Sequence, residues 1–330
     1  MPRAVIADAF GPPETYELRD LPRRELKPGE VRVAIKAAGI SFVDVLTAAG
    51  QYQVKPPLPF CPGNEAAGRV IELSEGVSEF MLGDQVVCSH WGGLFSDEAV
   101  LPVRALRHIP AGLDFAEAAV FPVSYATAWY ALADRAVLAK GETVLVLGAG
   151  GATGYAAVQV AKHLGARVIG SASSADKRAL ALVGGADAVV EARADDWREQ
   201  VGAANHGNPI DVVFDPVGGE TTDPAFRSLG WGGRHLVIGF PGGIAALRTN
   251  LPLLKGASLV GVDIRQFGER EPARADANRT RIFDLAGRGI LKPAIARSYP
   301  LKEFSAAMAD AASGRSAGRI VLTSAYTNLR

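Results

Sequence analysis

The sequence predicts an α/β protein built from two different regions. Short β-branched and alternating runs fill the first 120 residues, and proline–glycine and glycine–aspartate turns separate them, a pattern typical of antiparallel strands. From residue 143 onward, strand patterns alternate with helix patterns. That alternation indicates right-handed crossovers and a doubly wound parallel sheet covered on both faces.

The first region is predicted to be a mostly antiparallel β-structure, such as a barrel. Its strands include the runs at 30–40, 66–73 and 84–88. Apolar residues then recur at helical spacing over 115–138. We therefore place a first domain at 1–120.

The second region begins with a buried-type strand at 143–148, followed by a helix at 152–165 on which Ala157, Val160 and Leu164 share one face. Its further elements are a strand at 166–172, a helix at 177–185, and strands at 186–191, 209–219, 233–240 and 257–264. We predict that this domain spans 121–265.

The segment 266–330 is predicted to return to the first domain. It begins with a polar, arginine-rich stretch, continues with a helix at 301–313 and includes a strand at 318–324. A strand that follows a parallel-sheet domain in this way often joins the sheet of the first domain.

Composition narrows the possible partners. Apolar residues make up 48% of the chain, charged residues 21%, and the formal net charge is zero, so no nucleic-acid or membrane partner is indicated. We find no signal-peptide pattern and no uninterrupted apolar span. Cys61 and Cys88 are the only cysteines, too few for a disulfide framework. We therefore expect a cytoplasmic protein.

Residues 144–154, VLVLGAGGATG, join a strand to a helix through glycines. The first N–H groups of a helix have no internal partner, and the helix dipole is positive there. Glycines let the backbone approach an anion, so the turn fits the pyrophosphate of a dinucleotide. We predict contacts from Gly151, Ala152, Thr153 and Gly154. A ligand-free glycine turn is the alternative interpretation.

The end of the next strand discriminates between the two nicotinamide cofactors. An NAD site usually has a carboxylate there for the ribose hydroxyl, and this strand tip has none. Hydroxyls and cations suit the 2′-phosphate of NADPH instead. We predict NADPH, bound by Ser171, Ser173, Ser174, Lys177 and Arg178. Solvated charges at a helix start are the alternative.

The chain resembles the zinc-independent quinone oxidoreductases of the medium-chain dehydrogenase/reductase superfamily. The resemblance covers nearly the whole chain and rests on motifs in the family's order: AAGISFVDVLTAAGQY (37–52), PGNEAAGRV (62–70), GDQVV (83–87), the glycine turn, FDPVGG (214–219) and GRHLVIGF (233–240). It implies a GroES-like β-barrel domain and a Rossmann domain, with the active site in the cleft between them.

The same resemblance implies that no metal is bound. Zinc-dependent relatives place cysteine at the position of Ser41, histidine at that of Asn64 and a further cysteine near 123–124. Hydroxyl and amide oxygens are poor zinc ligands compared with thiolate and imidazole. Without a Lewis acid, the cofactor needs a substrate that is already electrophilic. We therefore predict reduction of a quinone or an activated alkene.

The resemblance also places side chains near the active site. Tyr52, Ser41 and Asp44 are the catalytic candidates and Asn64 is the substrate contact. Tyr52 is either a hydrogen-bond or proton donor to a carbonyl or a half-buried loop residue, and Asp44 is either a site residue or the acceptor that holds its loop. The further cofactor contacts expected are Thr127, Gly239 and Phe240.

Three functions remain open on this basis. They are quinone reduction, reduction of an enone or an acyl-CoA thioester, and non-enzymatic NADPH binding. A homodimer is expected because family members commonly extend the parallel sheet through its last strand, and the run at 257–264 is apolar enough to pair.

Overall fold

In the computed structural model, which describes residues 1–325, the chain divides into two compact units. The first comprises Met1–Pro122 and the chain from Ala294 onward, and the second comprises Val123–Pro293. The sequence patterns predict the corresponding divisions after residues 120 and 265. The arginine-rich stretch thus lies in the second unit, where Phe267 stacks on Tyr130 with ring centroids 3.9 Å apart and Arg274 pairs with Asp134 at 3.0 Å.

The strands follow one another as β1 Arg3–Ile6, β2 Glu17–Asp20, β3 Glu30–Ile40, β4 Glu65–Leu73, β5 Gln85–Ser89, β6 Glu98–Pro102, β7 Leu106–His108, β8 Thr143–Leu147, β9 Arg167–Ala172, β10 Ala188–Glu191, β11 Ile210–Asp215, β12 Leu229–Val237, β13 Ser258–Gly261, β14 Ile295–Pro300 and β15 Arg319–Thr323. The helices are α1 Phe42–Ala48, α2 Phe115–Ala118, α3 Pro122–Trp129, α4 Ala152–His163, α5 Ala175–Val183, α6 Trp197–Ala204, α7 Thr222–Arg227, α8 Asn250–Lys255, α9 Ile264–Arg270, α10 Pro272–Gly287 and α11 Phe304–Ser313.

The first unit is built on a seven-stranded sheet in the order β14-β15-β3-β4-β5-β7, with β6 paired to β3. Its pairs are antiparallel except for β14 and β15. The strand β15 joins this sheet beside β3, with Ile320 opposite Ile40. The core includes Val33, Ile35 and Leu322, each 2% exposed or less, and burying such a side chain stabilises the fold by about 1.5–3 kcal/mol.

The second unit contains a six-stranded sheet in the order β10-β9-β8-β11-β12-β13. Every pair in it is parallel, which confirms the predicted α/β architecture. All five residues of β8 are buried, as expected for a strand covered on both faces.

Helix boundaries differ from the sequence prediction where local chemistry intervenes. The helical pattern at 115–138 breaks into α2, α3 and a π-helical segment at Tyr130–Arg135. Pro122 starts α3, because proline has no N–H for a preceding turn. The predicted strand at 257–264 ends at Gly261, since Asp263 caps α9 by accepting from Gln266 N.

Candidate functional site

The glycine turn of the second unit lies between β8 and α4, as predicted. Gly148 has a φ of +60°, and Gly151 is the extended N-cap of α4. A Cβ added at Gly154 would lie 2.2 Å from the carbonyl oxygen of Gly148. Only glycine therefore allows the helix to start this close to the strand, which leaves the first N–H groups of α4 at the carboxyl edge of the sheet. Ala152 and Thr153 are half-buried in that first turn.

The start of α5 packs directly on this turn. A Cβ added at Gly150 would lie 2.5 Å from Cβ of Lys177. Ser174 is the N-cap of α5, and its hydroxyl accepts from Lys177 N at 3.3 Å. Ser173, one residue earlier, is exposed. Two of the predicted phosphate contacts, Ser174 and Lys177, are thus brought beside the glycine turn.

Two further predicted phosphate contacts have partners within the protein. Arg178 donates from Nη1 to the carbonyl of Ala172 at 3.2 Å and forms an ion pair with Glu191, so its charge is already neutralised. Ser171 is 2% exposed, and its hydroxyl accepts from the indole Nε1 of Trp197 at 2.9 Å. The 2′-phosphate site proposed for this protein therefore does not include these two side chains.

Arg193 is a neighbour of Lys177 that sequence reasoning missed. Burial and then the positive charge of Arg193 lower the pKa of Lys177, so the guanidinium acts electrostatically on the ammonium group. Arg193 is exposed on the loop after β10. Because β10 pairs with β9, residues just after β10 lie beside the tip of β9. A basic residue at that place in the sequence is the signal that would have identified Arg193.

A buried carboxylate organises the turn after β11. Asp215 accepts from the backbone N–H groups of Val217 and Gly218 at 2.9 and 2.8 Å, and its Oδ2 lies 3.0 Å from Nε2 of His235. Although burial alone would raise the pKa of Asp215, the hydrogen bond with His235 and those from the backbone hold it below its usual value. The turn at 215–218 is therefore rigidly built.

That turn holds the segment that contains Gly239 and Phe240. Both residues follow the end of β12, and Gly242 donates from N to the carbonyl of Val217 at 2.8 Å. Phe240 is 47% exposed, so it is not a core residue. Both predicted residues thus lie at the carboxyl edge of the parallel sheet, where α/β proteins bind ligands.

Thr127 lies buried on α3, at 6% exposure. The same helix is tied to α4 by a hydrogen bond from the Tyr125 hydroxyl to Gln159 Oε1 at 2.9 Å. Its position therefore depends on the helix that carries the glycine turn.

In the first unit, Ser41, Asp44 and Asn64 form one hydrogen-bonded network. Ser41 and Asp44 make a capping box at the start of α1. Oδ2 of Asp44 accepts from N and Oγ of Ser41 at 2.8 and 2.6 Å, and its Oδ1 accepts from Nδ2 of Asn64 at 2.9 Å. Burial raises the pKa of Asp44 to about 6, against the hydrogen bonds from Ser41. Asp44 thus holds both its own loop and the substrate-contact candidate.

Glu65, the neighbour of Asn64, has a structural partner. Its Oε2 lies 3.1 Å from Nη2 of Arg319 on β15, and both side chains are buried. This buried pair links β4 to the returning strand.

Asn64 also fixes the segment 90–92. Its Oδ1 accepts from Gly92 N at 2.9 Å, and its carbonyl accepts from His90 N at 3.1 Å. Trp91, between them, packs against Tyr52 with ring centroids 5.6 Å apart. All the residues predicted for the site in the first unit thus belong to one contiguous set, and Trp91 is a member that sequence reasoning missed.

Asp44, Asn64 and the segment 90–92 line a cavity of about 540 Å³ within the first unit, whereas Ser41 and Tyr52 are not among its lining residues. Its walls include the polar Asp44 and Asn64, the aromatic Trp91, and the apolar Pro59 and Phe60. The lining also carries charged side chains, among them Arg3, Arg32 and Glu98. The volume is typical of a small-molecule site.

Residues 1–325 contain neither a metal-binding cluster nor a membrane-spanning helix. In that part of the chain, no group of three or more histidine, cysteine or acidic side chains is arranged to hold a metal ion. No helix there is both long and apolar enough to cross a membrane.

Comparison with known proteins identifies the family. The alcohol dehydrogenase GroES-like domain family matches residues 27–111, and the zinc-binding dehydrogenase family matches residues 152–277. Quinone oxidoreductase-like protein 2 of Bos taurus is 36% identical over 93% of this chain and 88% of its own length.

Solved structures are similar to this chain over nearly its whole length. The quinone oxidoreductase of Thermus thermophilus, which was also solved in complex with NADPH, is 31% identical with a TM-score of 0.85 over 97% of this chain and 99% of its own. The CurK enoyl reductase is 25% identical with a TM-score of 0.88, over 98% and 99%. This chain is therefore an oxidoreductase-type protein that belongs to the zinc-independent quinone oxidoreductase family of the medium-chain dehydrogenase/reductase superfamily.

Proposed function

We propose that this protein is an NADPH-dependent reductase that transfers hydride to a quinone without a metal. The observation that carries the proposal is the network of Ser41, Asp44 and Asn64. At the two positions where zinc-dependent relatives have ligands, this chain has a hydroxyl and an amide that are bonded to the same buried carboxylate. The substrate must therefore be electrophilic before it binds, and conjugated carbonyl compounds meet that need.

The residues of the second unit fit NADPH. The first turn of α4, at Ala152, Thr153 and Gly154, presents N–H groups to the pyrophosphate. Lys177 and Arg193 supply two positive charges for the 2′-phosphate, assisted by Ser173 and Ser174 at the start of α5. When bound, the reduced nicotinamide supplies the hydride.

On the substrate side, the orientation of Asn64 is set by its partners. The amide nitrogen donates one hydrogen bond to Asp44, and the amide oxygen accepts one from Gly92 N. A flipped amide would place its oxygen against the carboxylate and its NH₂ group against an N–H, so the network selects one orientation. The second amide hydrogen is then a donor for the substrate carbonyl, where negative charge develops as hydride arrives.

Quinone reduction also requires a proton, which we assign to solvent. Tyr52, the donor candidate from the sequence, is half-buried against Trp91 and is not among the residues that line the cavity. Ser41 and Asp44 act as positioning residues, because their hydrogen bonds are directed to each other and to Asn64.

The test is NADPH oxidation followed by nicotinamide absorbance in chelator-treated buffer. Benzoquinone and phenanthrenequinone are compared with cyclohexenone and crotonyl-CoA, and NADH replaces NADPH in a matched series. The proposal predicts turnover of the quinones with NADPH preferred. NADPH binding without turnover of any acceptor would contradict it and would leave the non-enzymatic alternative.

Enoyl reduction is the second candidate function. It is favoured by the likeness to the CurK enoyl reductase, and the same cofactor and carbonyl contacts would serve an enone or thioester. Turnover confined to cyclohexenone or crotonyl-CoA in this panel would select it.

We also propose a homodimer formed through β13. This strand is at the edge of the second unit's sheet, and an unpaired edge invites pairing. Large apolar side chains are exposed on and next to it, notably Leu259 at 50%, Trp231 at 84% and Leu253 at 79%. A second copy of this edge would cover them by continuing the sheet.

A further inference from the structure

Trp91 is a large exposed aromatic side chain whose presence the proposed reaction leaves unexplained. It lines the 540 Å³ cavity and is 40% exposed. Asn64 and Asp44 line the same cavity. An exposed indole on a cavity wall, next to a donor for a carbonyl, is a candidate binding surface.

Hydrogen bonds hold the residues on both sides of Trp91. Gly92 N donates to Oδ1 of Asn64 at 2.9 Å. His90 N donates to the backbone carbonyl of Asn64 at 3.1 Å. Nδ1 of His90 donates to the carbonyl of Gly92 at 2.9 Å. Gly92 has a φ of +77°, and a Cβ added there would lie 2.9 Å from the carbonyl of Cys61. The turn is thus rigid, and the ring needs little ordering when a ligand binds.

Tyr52 supports the ring from a second direction. The two ring centroids are 5.6 Å apart with an interplanar angle of 32°, within the range in which aromatic pairs attract. Tyr52 is not among the residues that line the cavity, whereas Trp91 is. The phenol ring therefore backs the indole, and the indole contacts whatever enters.

The chemistry of such a wall selects planar π systems. A fused aromatic ring gains stacking and dispersion contacts on an indole that an aliphatic enone or an acyl thioester does not. Pro59 and Phe60, which line the same cavity, are apolar and suit a flat hydrocarbon. The carbonyl of the ring would meet Asn64, another lining residue.

We propose that Trp91 is a specificity-determining residue that binds the ring of fused-ring planar carbonyl compounds, such as naphthoquinone and phenanthrenequinone, in preference to aliphatic enones and thioesters. The reductive part of this inference rests on the proposed function, whereas the binding part does not.

The first test measures binding and needs no turnover. Fluorenone, a planar ketone that is not a quinone, is titrated into the full-length protein with NADP⁺ present, and dicyclohexyl ketone is the non-planar control. Calorimetry is compared for the wild type, Trp91→Leu and Trp91→Phe, with Leu82→Ala as an exposed apolar control at 67% exposure in the same unit. We expect Trp91→Leu to weaken fluorenone binding about tenfold, Trp91→Phe to retain most of it, and NADPH affinity to stay unchanged in all four proteins.

The second test measures turnover. The kcat/KM of Trp91→Leu should fall about tenfold with phenanthrenequinone and less than about twofold with cyclohexenone. Equal fluorenone affinity in wild type and Trp91→Leu, with the same thermal midpoint, would overturn the inference. If the wild type reduces no quinone, the proposed function fails, but a Trp91-dependent affinity for fluorenone would still support the ring-binding role.

Discussion

Asn64 donates from Nδ2 to Oδ1 of Asp44 across 2.9 Å, and this bond joins two segments that lie far apart in the chain. Asp44 is 2% exposed and lies in the first turn of α1, whereas Asn64 immediately precedes β4. The carboxylate therefore sets the orientation of the amide that faces the cavity.

Stability should depend on pH through Asp44. Its pKa is raised to about 6 in the folded protein, against an unfolded value of about 3.9. Because the pKa of Asp44 is higher in the folded protein, the folded state binds the proton more tightly. Protonated Asp44 therefore stabilises the fold, and this stabilisation is lost as the pH rises from about 4 to 6. Relative to Asp44→Asn, the wild type should lose about 3 kcal/mol of unfolding free energy over that window, measured by urea denaturation. A difference between the two proteins that does not change with pH would contradict this.

Activity should also depend on the ionisation of Asp44, but, unlike stability, it should fall as the pH is lowered. The ionised carboxylate accepts from Ser41 and Asn64, and protonation removes part of that acceptor capacity. We expect kcat with a quinone to decline as the pH falls below about 6, and Asp44→Asn to show a low rate without this decline. A wild-type profile that is flat from about pH 5 to 8 would disagree with the assigned role.

Arg193 should set the preference for NADPH. Loss of one charge-assisted contact with the 2′-phosphate costs about 1.5–3 kcal/mol, so Arg193→Ala should raise the KM for NADPH at least about tenfold and leave that for NADH nearly unchanged. Arg178→Ala is the matched control, because Arg178 is paired with Glu191. An equal effect of the two variants on NADPH would remove the distinction drawn between them.

Gly154 should tolerate no side chain. An added Cβ would lie 2.2 Å from the carbonyl oxygen of Gly148, and that backbone atom cannot move without shifting β8 or α4. Gly154→Ala should therefore destabilise the protein by about 1–3 kcal/mol and weaken NADPH binding. Gly202→Ala, on α6 with open space around the added carbon, is the control. Thermal unfolding and cofactor titration of both variants check this, and wild-type behaviour of Gly154→Ala would show that the turn adapts.

The edge of β13 should control assembly. Leu259→Lys places a charge on an exposed apolar strand, which opposes burial in a dimer. Light scattering after size-exclusion chromatography should show a dimer for the wild type and a monomer for this variant, while Met81→Lys, exposed at 71% in the first unit, should remain dimeric. A dimeric Leu259→Lys protein would place the interface elsewhere.

The strand and helix periodicities predicted the parallel sheet, and the glycine turn predicted where β8 meets α4. These features are local, so a single sequence contains them. Ser41 and Asp44 are also close in sequence, and their capping box is a local pattern.

Long-range pairings account for what the sequence did not predict. The ion pair of Arg178 with Glu191, the neighbourhood of Lys177 and Arg193, and the packing of Trp91 on Tyr52 all join separate segments. The arginine-rich stretch was predicted as polar without a defined structure. Its helices depend on a cap at Asp263 and on the stacking of Phe267 on Tyr130, which periodicity alone does not show.

We infer that the Asn64 carboxamide takes the place of a metal at the substrate carbonyl. The most direct measurement compares kcat for naphthoquinone between the wild type and Asn64→Leu in chelator-treated buffer, with NADPH affinity and thermal midpoint measured alongside. Loss of one preorganised donor predicts a fall in kcat of about a hundredfold with NADPH affinity unchanged and a fully active metal-free wild type. A wild type that turns over only after zinc is added, or an Asn64→Leu variant with the wild-type rate, would show that Asn64 does not have this role.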